Sequence, residues 1–508
     1  MNIFHKCKLS ILVCSLSLST FFSAPALAAE IEDPAVASEN RYNLEIQSNS
    51  WESWPAGPQI YAETAVVMEA STGTVLYNKS MDQQMYPASI TKIMTVLLAL
   101  ENLDLSEEVT FSHNAVFSID YNSSHIARDE GEVLTVEECL YAILLESANE
   151  CSNAIAEHTA GSVEAFAEMM NQRAAELGCT NTHFTNPHGL PDENHYTTAH
   201  DMALIAREAI KYDKFRQISN TPRYTLRATN KKSEELLMNN HHYMISNYKT
   251  SKYLDDTVFA GKNGYTTVAL NTLVTCASRN GMDLIVVTMK TQGGAERGVP
   301  VYTDTASLLN YASENFHKVN IAENETNFSI GQSGLFDTGS TVFGSPEPMI
   351  ELDPEGNVIL PVTAEFTDAS PKLEFLDAED GQNIATLSYT YAGQHVGSTN
   401  LYLTGNTTQE HDFQNEEDAN SQDATDNTGE SGKEEVRLIK INLRDVGIAV
   451  FSTLLAAVVI FLTIRIAKDH DIDINPISRW RTWRNNKNSF LNGNRKRYRS
   501  RKRNRRWK

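Results

Sequence analysis

Three features of the chain predict an α+β fold. A strand-like pair of apolar runs stands near its start, strongly apolar helical segments fill its middle, and long strand-like runs return only after residue 257. A sheet that takes strands from both ends of a segment, with helices between, closes late and packs helices against its faces. A small all-β domain is predicted after it, and near the C-terminus an uncharged stretch is long enough for a transmembrane helix.

In chain order, residues 1–28 read as a secretory signal peptide: Lys6 and Lys8, an apolar stretch from Leu9 to Phe22, and Ala26-Leu27-Ala28 before the cut. Cys14 follows Leu12-Val13 and does not fit a lipoprotein signal. Residues 29–55 are polar and read as a leader. The α+β domain is expected over 56–318. Its first element is a hairpin, TAVVMEASTGTVLYNK, turning at Ser71-Thr72-Gly73. Pro87 then leads into ITKIMTVLLALEN, apolar nearly all round and therefore a buried helix.

Two helical patterns follow between Thr135 and Met170, with Ser147-Ala148-Asn149 after the first. Beyond Thr257 the apolar runs on either side of Arg279-Asn280-Gly281 predict a hairpin of two long strands, and TDTASLLNYASENF predicts a helix ending near His317. Residues 319–405 carry the alternation of the all-β domain in VILPVTAEF, KLEFLDA, IATLSYTYA and VGSTNLYLT. Residues 406–440 form an acidic, disordered linker, with ten acids and one lysine between 406 and 435.

The transmembrane helix is placed at 444–466 around Val446–Ile464, 19 residues without a charge. The tail, 467–508, is basic. From Arg465 onward there are 16 Lys/Arg against 3 acids, a net +13 that leaves −35 on the rest of a chain whose total is −22. The positive-inside rule puts this tail in the cytoplasm and the signal peptide puts the folded part outside, so the two agree on a single-pass cell-membrane protein with an extracytoplasmic domain. Anionic lipid explains the tail with fewer assumptions than nucleic acid, which is not expected as a partner. Of six cysteines, Cys139, Cys151, Cys179 and Cys276 remain after signal removal, with no C-x-x-C pair, and free buried thiols are expected.

The chemistry lies in three strings in fixed order: Ser89-Ile90-Thr91-Lys92, Ser147-Ala148-Asn149 and Lys262-Asn263-Gly264. They supply a nucleophile beside a lysine, a second hydroxyl with an amide, and a further cation followed by glycine, the parts of a serine acyl-transfer site. None is specific alone. A second S-x-x-K occurs at Ser246-Asn247-Tyr248-Lys249, Ser147 and Asn149 suit a helix terminus, and Lys262-Asn263-Gly264 suits a turn. Ser89 differs in context: on a helix, residues three apart share a face, and apolar surroundings disfavour a protonated amine at Lys92. In order, 58 and 115 residues apart, the three strings are strongly specific. His183, His188, His195 and His200 lack zinc-site spacing, and no metal or cofactor is expected.

The chain resembles the serine-type D-alanyl-D-alanine carboxypeptidases, the low-molecular-mass penicillin-binding proteins. The likeness runs from about Ala62 to Phe316 through YPASITK, LLESANECSNAIAEH, NPHGLPDENHYTTAHDMA and GKNGYT, and less specifically into the β domain. It implies a penicillin-recognising serine transpeptidase/β-lactamase-like domain, a helical subdomain on an antiparallel sheet, with peptidoglycan stem peptides as substrate and β-lactam antibiotics as covalent inhibitors. By motif position it makes Ser89 the nucleophile, Lys92 its base and Ser147 the proton relay. Asn149, Lys262, Asn263, Gly264 and Tyr265 become substrate-binding, with the backbone N–H groups of Ser89 and Tyr265 as oxyanion hole. Asn263 departs from the threonine usual there, and Arg297 is a further candidate for the substrate carboxylate.

Two other readings stay open: a β-lactamase, and a catalytically idle wall-binding or sensory protein of the same fold. Against the first, Ser-Ala-Asn stands where those enzymes carry Ser-Asp-Asn, and there is no E-x-x-L-N string.

Overall fold

The computed structural model describes residues 33–292, 300–326, 350–376 and 383–403. The signal peptide, Arg297, the acidic linker, the apolar run of 446–464 and the basic tail lie outside the described residues. No helix among the described residues is long and apolar enough to cross a membrane.

A five-stranded antiparallel sheet organises the first domain. Its strands are β1 (Thr64–Glu69), β2 (Val75–Lys79), and, far along the chain, β7 (Val258–Thr266), β8 (Leu270–Arg279) and β9 (Met282–Thr291), in the order β2-β1-β9-β8-β7. Two short pairs, β3 (Glu108–Thr110) with β4 (Val133–Thr135) and β5 (Arg223–Leu226) with β6 (Leu236–Asn239), brace the helical part. The predicted C-terminal hairpin is three strands rather than two. Its extra reversal, at Thr267–Ala269, carries no Gly, Pro or Asn, and is closed by Leu270 at φ +54° and by Ala269 N donating to Thr266 Oγ1.

Both faces of this sheet are covered, so its central strands read as nearly continuous apolar runs rather than alternating ones. Val66, Ile285 and Val287 face a core built with the helices, while Ala65, Val67, Leu284 and Val286 face the helix Pro300–Asn315 through Tyr302, Leu308 and Leu309. At the centre of the first core lies the helix Lys92–Asn102, buried throughout Lys92–Ala99. Caps fix the helices around it: Thr135 and Glu138 form a reciprocal capping box for Val136–Tyr141, and Ser162 and Thr198 cap Val163–Glu176 and Ala199–Ala209.

Residues 34–55, expected as a polar leader, are part of the fold. Pro34–Tyr42 is a helix capped by Asp33, and buried Trp54 donates from Nε1 to Leu76 O at 2.9 Å with its ring 5.2 Å from that of Phe316. A few apolar anchors, Ile46 and Trp54 among them, dock an otherwise polar segment.

The second domain begins at β10 (Phe316–Asn320) rather than after residue 318, because the preceding helix runs into this strand without a breaker. With β11 (Ile350–Leu352), β12 (Asn357–Pro361), β13 (Ser370–Phe375), β14 (Asn383–Tyr391) and β15 (Gln394–Leu403) it forms an antiparallel sheet in the order β10-β12-β15-β14-β13, with β11 on β15. Its core of Val358, Leu360, Leu387 and Tyr389 is continuous with that beneath the first sheet.

Candidate active site

Ser89 lies in a 3-10 turn, Ala88–Thr91, that feeds directly into the helix beginning at Lys92. Residue 88 is held at φ +51°, a left-handed conformation uncommon for alanine. It is clamped from both sides. Thr272 Oγ1 on β8 donates to Pro87 O at 2.8 Å, and Gly189 lies against the Ala88 carbonyl so closely that any side chain there would collide with it. The NPHGL loop thus sets the pose of the turn that carries the hydroxyl.

Lys92 is fully buried, and its Nζ has three neighbours: Asn149 Oδ1 at 2.7 Å, His188 O at 2.6 Å and Ser89 Oγ at 3.2 Å. The first two are carbonyl oxygens and can only accept. A neutral amine has two N–H bonds and one lone pair, so spending both bonds on these carbonyls leaves the lone pair for the Ser89 hydroxyl. Burial, and next the nearby Lys262, hold the Lys92 amine well below its ordinary range, which favours the neutral form. An ammonium could also donate to all three oxygens, so burial is what selects the neutral form.

The orientation of Asn149 decides this arrangement. Its Nδ2 donates to Ser123 Oγ at 2.9 Å, which turns Oδ1 toward Lys92. Ser123 sits in an irregular segment 26 residues upstream and was not anticipated, since no motif marks it. Its neighbour Ser124 accepts the Asn149 backbone N–H at 3.0 Å, so the same segment holds both ends of the residue. Ser123→Ala should lower kcat about tenfold, with little effect on KM, by freeing the amide to present its NH2 to Lys92. Steady-state kinetics checks this, and an unchanged kcat would show that Asn149 keeps its orientation without Ser123.

Ser147 closes a π turn, Ala142–Glu146, and takes a left-handed φ of +60°. Such turns recur at functional sites because they re-aim a single residue. Its Oγ is buried and has no hydrogen-bond partner among the described residues. That hydroxyl is available to a ligand.

The third string lies on β7, the edge strand of the sheet, which pairs with no second strand on its other side among the described residues, although Ser219 Oγ bonds both Gly261 N and Gly261 O. Lys262 is buried, and its Nζ donates to Asn263 O at 2.9 Å. Burial lowers its pKa to about 7, partly offset by Glu146, so the cation is held ready to lose its proton. Among the described residues it has no carboxylate partner within salt-bridge distance. Gly264 is required by proximity: a Cβ there would stand 2.7 Å from Ser89 N and 2.5 Å from Thr272 Oγ1. The edge of β7 and the nucleophile's own N–H therefore line one narrow groove, with Tyr265 61% exposed beside it. The structure brings Ser89, Lys92 and Asn149 into direct contact and places Gly264 against Ser89; among the described residues Ser147 Oγ has no hydrogen-bond partner and Lys262 Nζ has no carboxylate partner.

The four histidines weighed for zinc serve other ends. His188 offers its carbonyl to Lys92, and His195 bridges Thr91 and Thr185 as a neutral ring, its pKa lowered by burial to about 3. His183 is bonded to Asn194 O, and His200 faces Asp82. No cluster of three or more metal-ligating side chains occurs among the described residues.

A buried lysine aimed at a serine on an apolar helix, beside an edge strand with a second lysine, defines a serine acyl-transfer enzyme of the penicillin-recognising class. Comparison with known proteins gives the family. Residues 52–293 match the profile of the D-alanyl-D-alanine carboxypeptidase peptidases, family S11. The chain is 32% identical over 257 residues to the D-alanyl-D-alanine carboxypeptidase DacB2 of Mycobacterium tuberculosis, covering 50% of this chain and 82% of that one. It is 38% identical over 245 residues to DacF of Bacillus subtilis, covering 47% of this chain and 60% of the relative. Among solved structures, penicillin binding protein 5 of Haemophilus influenzae is 27% identical, with a TM-score of 0.54 over 69% of this chain and 98% of that one. The chain belongs to the D-alanyl-D-alanine carboxypeptidase family and is a serine-type D-Ala-D-Ala carboxypeptidase.

Proposed function

We propose that the chain removes the terminal D-alanine from peptidoglycan stem pentapeptides through an acyl-enzyme on Ser89, and that β-lactams acylate the same oxygen. The observation that carries this reading is the spending of both Lys92 N–H bonds on Asn149 Oδ1 and His188 O, with Ser89 Oγ 3.2 Å away. Lys92 takes the Ser89 proton as Oγ attacks the carbonyl carbon between the two D-alanines. The developing oxyanion is met by the backbone N–H groups of Ser89 and Tyr265, each such donor being worth about 3–4 kcal/mol. As the C–N bond breaks, the proton passes from Lys92 by way of Ser147 to the leaving amine. Lys92, neutral again, then draws a proton from water as that water attacks the acyl carbon, and returns it to Ser89 Oγ as the ester C–O bond breaks.

The stem lies extended against β7, adding a strand to the sheet edge, and the absence of a side chain at Gly264 lets it approach. Lys262 draws the terminal carboxylate. Asn263 has its Oδ1 3.4 Å from Lys262 Nζ, which leaves its NH2 to donate to that carboxylate in place of a hydroxyl.

The pKa of Lys262, about 7 in the free protein, gives a pH dependence. The charge is present below that pH and lost above it, so kcat/KM should fall as pH rises past neutrality. A bound carboxylate retains the proton, so kcat at saturating peptide should fall less. Lys262→Gln should remove the dependence along with much of the affinity, and a native kcat/KM flat from pH 6 to 9 would rule the role out.

For location, we infer from sequence a signal peptide over 1–28, a transmembrane anchor within 444–466, an extracytoplasmic domain and a cytoplasmic basic tail. Protease added to intact cells should remove the folded domain and spare a tag at Lys508. The activity is tested by incubating the purified full-length protein with labelled penicillin and, separately, with a pentapeptide. A single adduct on the Ser89 peptide and release of one D-alanine per stem are expected, whereas an intact pentapeptide after prolonged incubation rejects the reading.

A further inference from the structure

With the scissile carbonyl at the Tyr265 N–H and the terminal carboxylate drawn to Lys262, earlier on β7, the direction of a bound stem is fixed. Its upstream residues run the other way, past Thr266 toward the reversal at Thr267–Ala269. From Tyr265 to Val268 an extended chain covers about 10 Å. A cleft of about 300 Å³ stands at that end. Two of its walls continue the elements that frame the groove: Tyr86, just ahead of the turn that carries Ser89, and Val268 with Ala269 beyond the end of β7. Glu193 and Tyr196, from the loop before the helix Ala199–Ala209, and Lys290, from β9, complete the lining with Gln83, Gln84 and Met85. Met85 and Thr197 exchange backbone hydrogen bonds of 2.7 and 2.9 Å, which ties the Tyr86 segment to the Glu193 segment.

Lys290 is aimed by an irregularity in the sheet. β8 and β9 pair at Asn271 with Thr291 and at Leu273 with Thr288, so Met289 and Lys290 together oppose Thr272, and Lys290 takes a left-handed φ of +56°. Such bulges re-aim a side chain and recur beside active sites. This one lies opposite the threonine that clamps Pro87. The cleft also carries two charges of opposite sign that are not spent. Lys290 Nζ is 3.0 Å from Glu63 Oε2, but Arg41 Nε is 3.1 Å from the same oxygen, so two cations share one carboxylate and one positive charge is left over. Glu193 is exposed, and its carboxylate has no hydrogen-bond or salt-bridge partner among the described residues. Tyr86 and Val268, 37% and 46% exposed, add apolar surface that suits a methylene stem.

An ammonium alone would answer Glu193 and crowd the surplus cation, and a carboxylate alone would answer Lys290 and crowd Glu193. A side chain that ends in both groups satisfies both. We propose that this cleft is the subsite for the third residue of the stem, the one before the two D-alanines, and that it selects a long aliphatic side chain ending in an ammonium and a carboxylate. The ammonium pairs with Glu193 and the carboxylate with Lys290. The third residue falls opposite Thr266, and its side chain covers the remaining distance to the cleft. This rests on the carboxypeptidase reading and names the substrate class of that same site.

The test uses the full chain in detergent micelles and three pentapeptides that differ only at the third residue: 2,6-diaminopimelate, lysine or alanine. For the native protein, kcat/KM should be about fivefold higher for the diaminopimelate stem than for the other two, the size of one partly exposed ion pair, with the difference in KM. Lys290→Gln should bring the diaminopimelate stem down to the level of the lysine stem. Glu193→Gln should bring it down toward the alanine stem. Each variant is compared across stems, so a general loss from altered folding cancels in the ratio. A diaminopimelate stem no better than the other two for the native protein, or a preference that either substitution leaves intact, overturns the proposal. Release of D-alanine from the alanine stem tests the carboxypeptidase reading by itself, so a missing preference and a missing activity are told apart.

Discussion

Replacing Ser89 by alanine should slow D-alanine release by about 10⁴-fold or more and abolish the penicillin adduct, while leaving the fold intact. The magnitude follows from the site: Ser89 Oγ is the hydroxyl that Lys92 can deprotonate, and among the described residues no other hydroxyl or thiol bonds to that amine. The fold should survive because, among the described residues, the hydroxyl bonds to Lys92 alone, and a hydrogen bond of that kind contributes only about 1 kcal/mol to stability. Intact-protein mass spectrometry with penicillin, far-ultraviolet circular dichroism and a D-alanine assay together check the expectation. Residual turnover within tenfold of native, with a native spectrum, would mean that another group carries the acyl transfer.

Replacing Lys92 by methionine should cost about 10²–10⁴-fold in kcat, the range of a positioned general base. Methionine suits the buried stem in volume and removes the amine. The Ser89→Ala, Lys92→Met double variant should be scarcely slower than Ser89→Ala, because the two groups act as one unit and their losses do not add. Additive losses, read from the same D-alanine assay, would show that Lys92 assists some step independent of Ser89.

The three strings were legible because their chemistry depends on residue type and order, and i to i+3 spacing on an apolar helix already places an amine beside a hydroxyl. What holds Ser89, Lys92 and Asn149 in place is not legible in the same way. Ser123 sets the Asn149 amide from a loop, and nothing local distinguishes it from the other serines of that stretch. Gly264 is legible only as a substrate-binding position; its closeness to Ser89 N, and the left-handed Ala88 with its contact to Gly189, arise from parts of the chain about 100 residues or more away.

For the fold, period and apolarity gave the hairpin, the central helix and the late strands. The turn at Thr267–Ala269 escaped because it lacks the residues that usually mark a reversal. The helix Pro300–Asn315 passes into β10 without a break, so the sequence places the second domain's start at 319, three residues after the first residue of that strand. Residues 34–55 looked like a leader because their average is polar. Docking there depends on a few buried side chains, Trp54 above all, whose partners Leu76 and Phe316 are distant in sequence.

The pH dependence of Ser89 acylation by penicillin, followed by time-resolved mass spectrometry, bears most directly on the state of Lys92. With both N–H bonds held by Asn149 and His188 and burial disfavouring the ammonium, the acylation rate at saturating penicillin, whose bound carboxylate keeps Lys262 charged, should be on its plateau at neutral pH and fall under acid conditions. A rate that climbs tenfold per pH unit through pH 9 would show an ordinary protonated lysine beside Ser89, and the account of the site would not stand.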